Sequence, residues 1–108
     1  MGLYMTQFAY TPEAWAALVK NPQDRAQGIA TLAQRHGGHM LSFYYAFGEH
    51  DGVVIFEAPN DVTASAIVLG ALSPGHLKAV KTTSLLTVEQ AMDAMRQAGE
   101  QIYVGHPR

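Results

Sequence analysis

Glu49, His50 and Asp51 stand in a row between an aromatic run that ends at Phe47 and an apolar run that begins at Val53. Histidine is the side chain whose charge changes near neutral pH, and an adjoining carboxylate can hold its ring in one tautomer. The pattern suits proton transfer. His50 is the candidate base, Asp51 or Glu49 the orienting group, and Tyr44 the donor to a developing oxyanion. The same residues also read as turn chemistry. Asp51-Gly52 favours a chain reversal, and Asp51 can serve simply by bonding the backbone. Neighbouring side chains tend to point apart, which favours the turn.

Other side chains invite chemistry more weakly. His36 and His39 flank Gly37-Gly38, and with His50 or His76 they offer three imidazoles, a set suited to zinc. Gly-Gly, however, is a helix stop, and the two flanking rings need not converge, so no metal site is expected. His76 and Lys78 share a face by strand period and offer cationic contacts to a carboxylate-bearing ligand; Lys81 takes the other face. With His39 and Glu49 they form the candidate ligand-binding set. Lysines that protect an edge strand from pairing with another chain explain the same residues. Trp15, Met92 and Met95 read as packing anchors, and Arg25 as a partner for Asp24 or a neighbouring subunit. Phosphate loops, dinucleotide fingerprints and nucleophile elbows are missing from the sequence, and no cofactor is expected.

These residues must be positioned by short elements. Leu3 to Tyr10 reads as a first strand, and Thr11-Pro12 caps a helix carrying Trp15, Leu18 and Val19 on one face. Asn21-Pro22 repeats the start signal for a helix with Ile29, Leu32, Ala33 and His36 in its stripe, closed by Gly37-Gly38. His39 to Phe47 and Gly52 to Ala58 form a hairpin pair of strands. A helix after Asn60 buries Val62, Ala66, Leu69 and Leu72, and His76 to Leu86 is the fourth strand. Thr87-Val88-Glu89-Gln90 is a capping box for a last helix that stops at Gly99. Residues 100–108 read as a tail or docking arm around Ile102, Tyr103 and Val104. The two helical pieces on either side of Pro22 form one bent helix or two; counted as one, the first six elements give an α+β fold of βαββαβ, ferredoxin-like order. Its sheet has four antiparallel strands, and a helix follows at the C-terminal end.

Composition narrows the classes. The chain has 108 residues, room for one domain. Charged residues make up 15% against an apolar 48%, where average domains are about 25% charged. Net charge is −2 and dispersed, so nucleic acid is not an expected partner. Cysteine is lacking, which excludes disulfides and thiolate chemistry and fits a reducing cytoplasm. No apolar run is long enough for a membrane span, and the N-terminal residues lack the pattern of a secretory leader.

The strands carry one further message. A half-solvated sheet should alternate apolar and polar residues. Here Leu41, Phe43, Tyr45 and Phe47 are expected on one side of strand two, and Met40, Ser42, Tyr44 and Ala46 on the other. Val53 to Phe56 is apolar on both sides. The helices suffice for one face. The other is a larger apolar patch than monomers usually tolerate, so a second copy is expected to cover it, forming a dimeric α+β barrel. The competing arrangement folds the last helix or the tail across that face.

Several pieces together resemble the GYD family of small bacterial domains, over about Tyr4 to Gly99. They are Tyr10-Thr11-Pro12, Arg25, Gly37-Gly38, Ser42-Phe43-Tyr44, Gly48-Glu49-His50-Asp51 and Glu57-Ala58-Pro59. In the family's Gly-x-Tyr-Asp turn this chain carries His50 at the tyrosine position. The resemblance implies a ferredoxin-like fold assembled as a dimeric barrel, and no particular activity.

Two functions follow as expectations. One is a small-molecule-binding homo-oligomer, extending to a cofactor-free enzyme that uses acid–base chemistry near the turn between strands two and three. The other is a non-catalytic assembly module with a filled barrel.

Overall fold

The structure, a computed structural model, describes residues 1–101. The proposed tail residues Ile102, Tyr103 and Val104 lie outside the described residues. The elements run β1 (Gly2–Tyr10), α1 (Pro12–Lys20), α2 (Arg25–Arg35), β2 (His39–Tyr45), β3 (Gly52–Ala58), α3 (Asp61–Leu72), β4 (Leu77–Leu85) and α4 (Val88–Gln101). The sheet order is β2-β3-β1-β4, with every neighbouring pair antiparallel. This is the expected ferredoxin-like α+β arrangement.

Local chemistry sets the helix ends. Thr11 caps α1 by accepting the Ala14 amide at 3.1 Å, and Asn60 caps α3 by accepting the Thr63 amide at 2.9 Å. Thr87 and Gln90 form the expected capping box in both directions, at 2.9 and 3.1 Å. The α2 start differs from expectation. Asp24, not Asn21, is its cap, and Asn21 instead closes α1 by donating its amide to the Ala17 carbonyl. Helix α2 ends in a full Schellman motif: Gly37 N–H bonds Gln34 O and Gly38 N–H bonds Ala33 O. Gly37 holds φ at 75°, and a Cβ at Gly38 would lie 2.2 Å from the Glu57 carbonyl oxygen. Both glycines are therefore required where helix meets sheet.

On the sheet face beneath the helices lie Tyr4, Thr6, Phe8 and Tyr10 of β1 and Val54, Phe56 and Ala58 of β3, all buried. The core divides in two. Tyr4, Val54 and Phe56 pack with Ala33 of α2 and Ala64 and Ile67 of α3, whereas Phe8 and Tyr10 pack with Ala14 and Leu18 of α1. Phe43 touches both groups.

Two bulges correct the simple alternation. In β2, Met40 stands opposite Phe56 and Ser42 opposite Ile55, so Leu41 has no partner and the register shifts. Met40 thereby joins Phe43 and Tyr45 on the helix side, Leu41 is exposed, and Phe47 lies fully exposed beyond the strand. In β4 the same happens at Lys78, which falls between Leu77 opposite Tyr10 and Ala79 opposite Ala9. His76 precedes the strand, so strand period no longer sets His76 and Lys78 on one face.

Three helical faces also differ from expectation. Val19 is exposed, and α1 buries Ala14 and Leu18. His36 is the exposed cap residue of α2, not part of its buried stripe. Helix α3 buries Ala64 and Ile67, while Val62 and Leu69 face outward at 80% and 64% exposure. Its sequence is apolar nearly all round, so periodicity could not choose the face.

The opposite sheet face carries Leu3 and Met5 of β1, Val53 and Ile55 of β3, Tyr44 of β2 and Leu85 of β4, by register with one another. Helix α4 does not roof it. Its residues Val88, Met92 and Met95 are exposed, and the molecule extends to 65 Å along its long axis. The expected packing of Met92 and Met95 against the same chain is absent among the described residues.

Candidate functional site

Where the two parts of the core meet, the helices stand off the sheet and leave a cavity of about 260 Å³. Its floor is Thr6, Phe8, Phe43, Val54, Phe56 and Val80, and helices α2 and α3 form its roof. Gly28 on α2 and Gly70 on α3 lie in that roof; an added Cβ at Gly28 would meet nothing within 4 Å, whereas the space beside Gly70 is taken by Leu32. Such a lining, apolar with a few polar groups, is the usual composition of a small-molecule pocket.

The polar groups gather where β1 ends. Tyr10, Arg25 and His76 all line the cavity. The Arg25 guanidinium carbon lies 5.9 Å from the centre of the Tyr10 ring, a cation–π distance. His76 is held close by because its carbonyl accepts the Thr11 amide at 2.9 Å. The Arg25 Nε is buried without a hydrogen-bond partner. Burial pushes the Tyr10 phenol above the ordinary tyrosine value, and a 3.2 Å hydrogen bond with the Tyr45 hydroxyl adds to it. Tyr10 therefore stays neutral and acts through its hydroxyl as donor or acceptor.

An aromatic cluster stiffens this end. Trp15 meets Tyr10 edge-on with centroids 5.1 Å apart, and Tyr45 lies 6.0 Å from Trp15. Asp51 ties the cluster down: one carboxylate oxygen, Oδ2, accepts the Tyr10 amide at 2.9 Å and the Trp15 indole N–H at 3.0 Å. Its own amide reaches Phe8 O at 2.8 Å. The alternative reading of Asp51, as a residue that bonds the backbone, is thus observed.

Of the seven residues singled out from sequence, His76 alone lines the cavity. His50 is half-buried in the β2–β3 connection and Glu49 is exposed there. Tyr44 is 67% exposed on the open sheet face. His39 also lies on that face, opposite Glu57. Lys78 sits exposed at the β4 bulge. The structure does not gather His50, Asp51 and Tyr44 around a common cavity. Among the described residues no group of three metal-ligating side chains converges.

Sequence reasoning missed Arg25 and Tyr10 as site residues. One signal was available. Arg25 opens a helix whose first turn has no acidic residue, although the positive end of the helix dipole disfavours a cation there.

A second, broader depression of about 470 Å³ lies between α3 and β4, bordered by Tyr4, Asp61, Thr82 and Ser84. It is open to solvent. Within it the Tyr4 hydroxyl donates to Asp61 Oδ1 at 2.5 Å, which raises the phenol's pKa.

Fold and site together define a small ferredoxin-like α+β domain with a chamber between its sheet and its helices. The chain belongs to the GYD domain family, whose family model matches residues 4–95. No curated protein matches the sequence. Among solved structures it is similar to MtbAldR, with a TM-score of 0.57 and 15% identity over 80% of this chain and 52% of that one. It is also similar to FFRP-DM1, with a TM-score of 0.50 and 12% identity over 80% of this chain and all of that one. The chain thus spans about half the length of MtbAldR. At these identities the likeness establishes the fold alone. No helix among the described residues is long and apolar enough to cross a membrane.

Proposed function

We propose that this domain binds a small molecule in the cavity between the sheet and helices α2 and α3, and does so as a homodimer. The observation that carries the reading is the 260 Å³ cavity itself, apolar along its floor and furnished with Arg25, Tyr10 and His76 at one end. The pocket is partly open to the surface, reaches between the sheet and the helices, and has room for several ordered waters or a small organic molecule.

Dimerisation is supported by the other face. Leu3, Met5, Val53 and Ile55 form an apolar centre that no described element covers. A second sheet about 10 Å away would bury it. Tyr44 and His39 would then lie in or beside the interface. Proton transfer through His50, Asp51 and Tyr44 would need a substrate site formed there, because the helix-side cavity reaches none of them.

The test of binding uses benzene. Titrated into the protein, it is expected to shift the methyl resonances of Ile29, Leu32 and Val54 and to lose that effect in Ala71→Phe, which fills the cavity. No shift in a folded wild-type protein would end the binding proposal. Dimerisation is tested by sedimentation. The wild type should sediment as two copies and Ile55→Glu as one; a monomeric wild type at high concentration would refute the shared sheet face.

A further inference from the structure

We infer that the cavity is built for a small apolar organic acid, a compact aromatic or branched carboxylate whose head group pairs with Arg25. This rests on the binding role proposed above and adds the chemistry of the ligand. The argument begins with an imbalance. Arg25 has no carboxylate partner among the described residues, and its Nε is shut away from water with no acceptor. An orphaned buried donor costs free energy. Its place in the first turn of α2 adds an unfavourable encounter with the helix dipole. Among the described residues Arg25 closes no ion pair, and its structural return is the cation–π contact with Tyr10. Both costs are relieved if an anion enters, and the guanidinium fork matches a carboxylate's two oxygens.

The surroundings choose between anions. Phosphate would require several donors, whereas beyond Tyr10 and His76 the floor is apolar apart from Thr6, whose hydroxyl is engaged with Thr82. A head of one negative charge on an apolar body fits that lining. Volume sets the size: about 260 Å³ admits a ligand of roughly ten to fifteen non-hydrogen atoms and excludes a long-chain lipid. The open roof at Gly28, where an added Cβ would meet nothing within 4 Å, accommodates a ring or a branch more readily than an extended chain.

The experiment compares 2-naphthoate with the neutral 2-naphthylmethanol on the full chain by calorimetry, with methyl shifts to locate each. The acid should bind at least tenfold more tightly than the alcohol, a difference in the range of one charge-assisted hydrogen-bonded pair. In Arg25→Gln the two probes should bind alike, and Arg25→Lys should restore part of the preference. Arg25 is a half-buried first-turn residue that lines the cavity, and unchanged thermal unfolding of the variants would verify their fold. If the alcohol binds the wild type as well as the acid does, the cavity stands and the assignment of an acid falls. If the preference survives in Arg25→Gln, the pairing with Arg25 falls. If neither probe shifts the cavity methyls, the binding role fails and this inference with it.

Discussion

The two faces of this sheet are made by the same four strands and both carry apolar side chains, on the open face mixed with polar ones such as Gln7, Glu57 and Lys81, yet they do different work. On the helix side Phe56 is almost wholly buried and every neighbour is fixed by α1, α2 or α3. On the other side Ile55, its neighbour in sequence, rests in a layer that no described element covers. The lesson is that burial and hydrophobicity are separate facts. Sequence supplies the second, and only the count of covering elements decides the first.

The strongest way to break the comparison is to truncate each neighbour. Phe56→Ala removes a ring from a closed core and should cost about 3–5 kcal/mol. Ile55→Ala should cost little at low protein concentration and more as concentration rises, because its packing partner is a second copy. Chemical denaturation at two concentrations measures both. Equal, concentration-independent losses would mean that the open face is already sealed.

Asp51 sharpens the contrast between a structural and a chemical reading of the β2–β3 turn. Asp51→Ala strands the Tyr10 amide and the Trp15 indole N–H, and should destabilise by about 1–3 kcal/mol. Trp15 fluorescence should change with it. Asp51→Asn keeps one acceptor oxygen and should lose less. A large effect on ligand affinity with no effect on stability would instead return Asp51 to the functional set.

The next difference is a dependence on alkaline pH carried by the helix side. Tyr10 is raised above the tyrosine value of 10.0 chiefly by burial, and Tyr4 chiefly by its hydrogen bond to Asp61. The folded state therefore holds these protons more tightly than the unfolded chain does. Stability from both is complete below about pH 10 and declines as pH rises above it. Denaturation midpoints followed through that range should fall, and Tyr10→Phe should flatten the fall.

Much of the fold was legible because local signals agreed. The Thr87–Gln90 box, the Thr11 and Asn60 caps and the Gly37-Gly38 stop are decided by bonds within a few residues. What failed depended on partners far along the chain. A bulge at Leu41 reverses side-chain direction, and nothing in strand period announces it. Helix α3 is too uniformly apolar to reveal its inward face. The site was harder still. His50 and Asp51 attract notice by residue type, whereas the cavity is roofed in part by small residues, Gly28, Gly70 and Ala71, that announce no function. Arg25 gains meaning from having no carboxylate partner among the described residues, and that is visible only when the neighbours are in place.

Those glycines give the smallest test. A Cβ added at Gly28 meets nothing within 4 Å, whereas one at Gly70 lies 3.3 Å from two methyl carbons of Leu32. Gly28→Ala should therefore stabilise the protein by about 0.5–1 kcal/mol through helix propensity alone. Gly70→Ala earns the same helical gain but must displace Leu32 by a few tenths of an ångström. Leu32 also lines the cavity, which offers room to yield, so the net change in stability should be close to zero. The displaced methyls then take up space a ligand would use, and 2-naphthoate should bind more weakly to Gly70→Ala than to Gly28→Ala. Equal affinities would place the ligand away from Leu32 and force a redrawing of the roof.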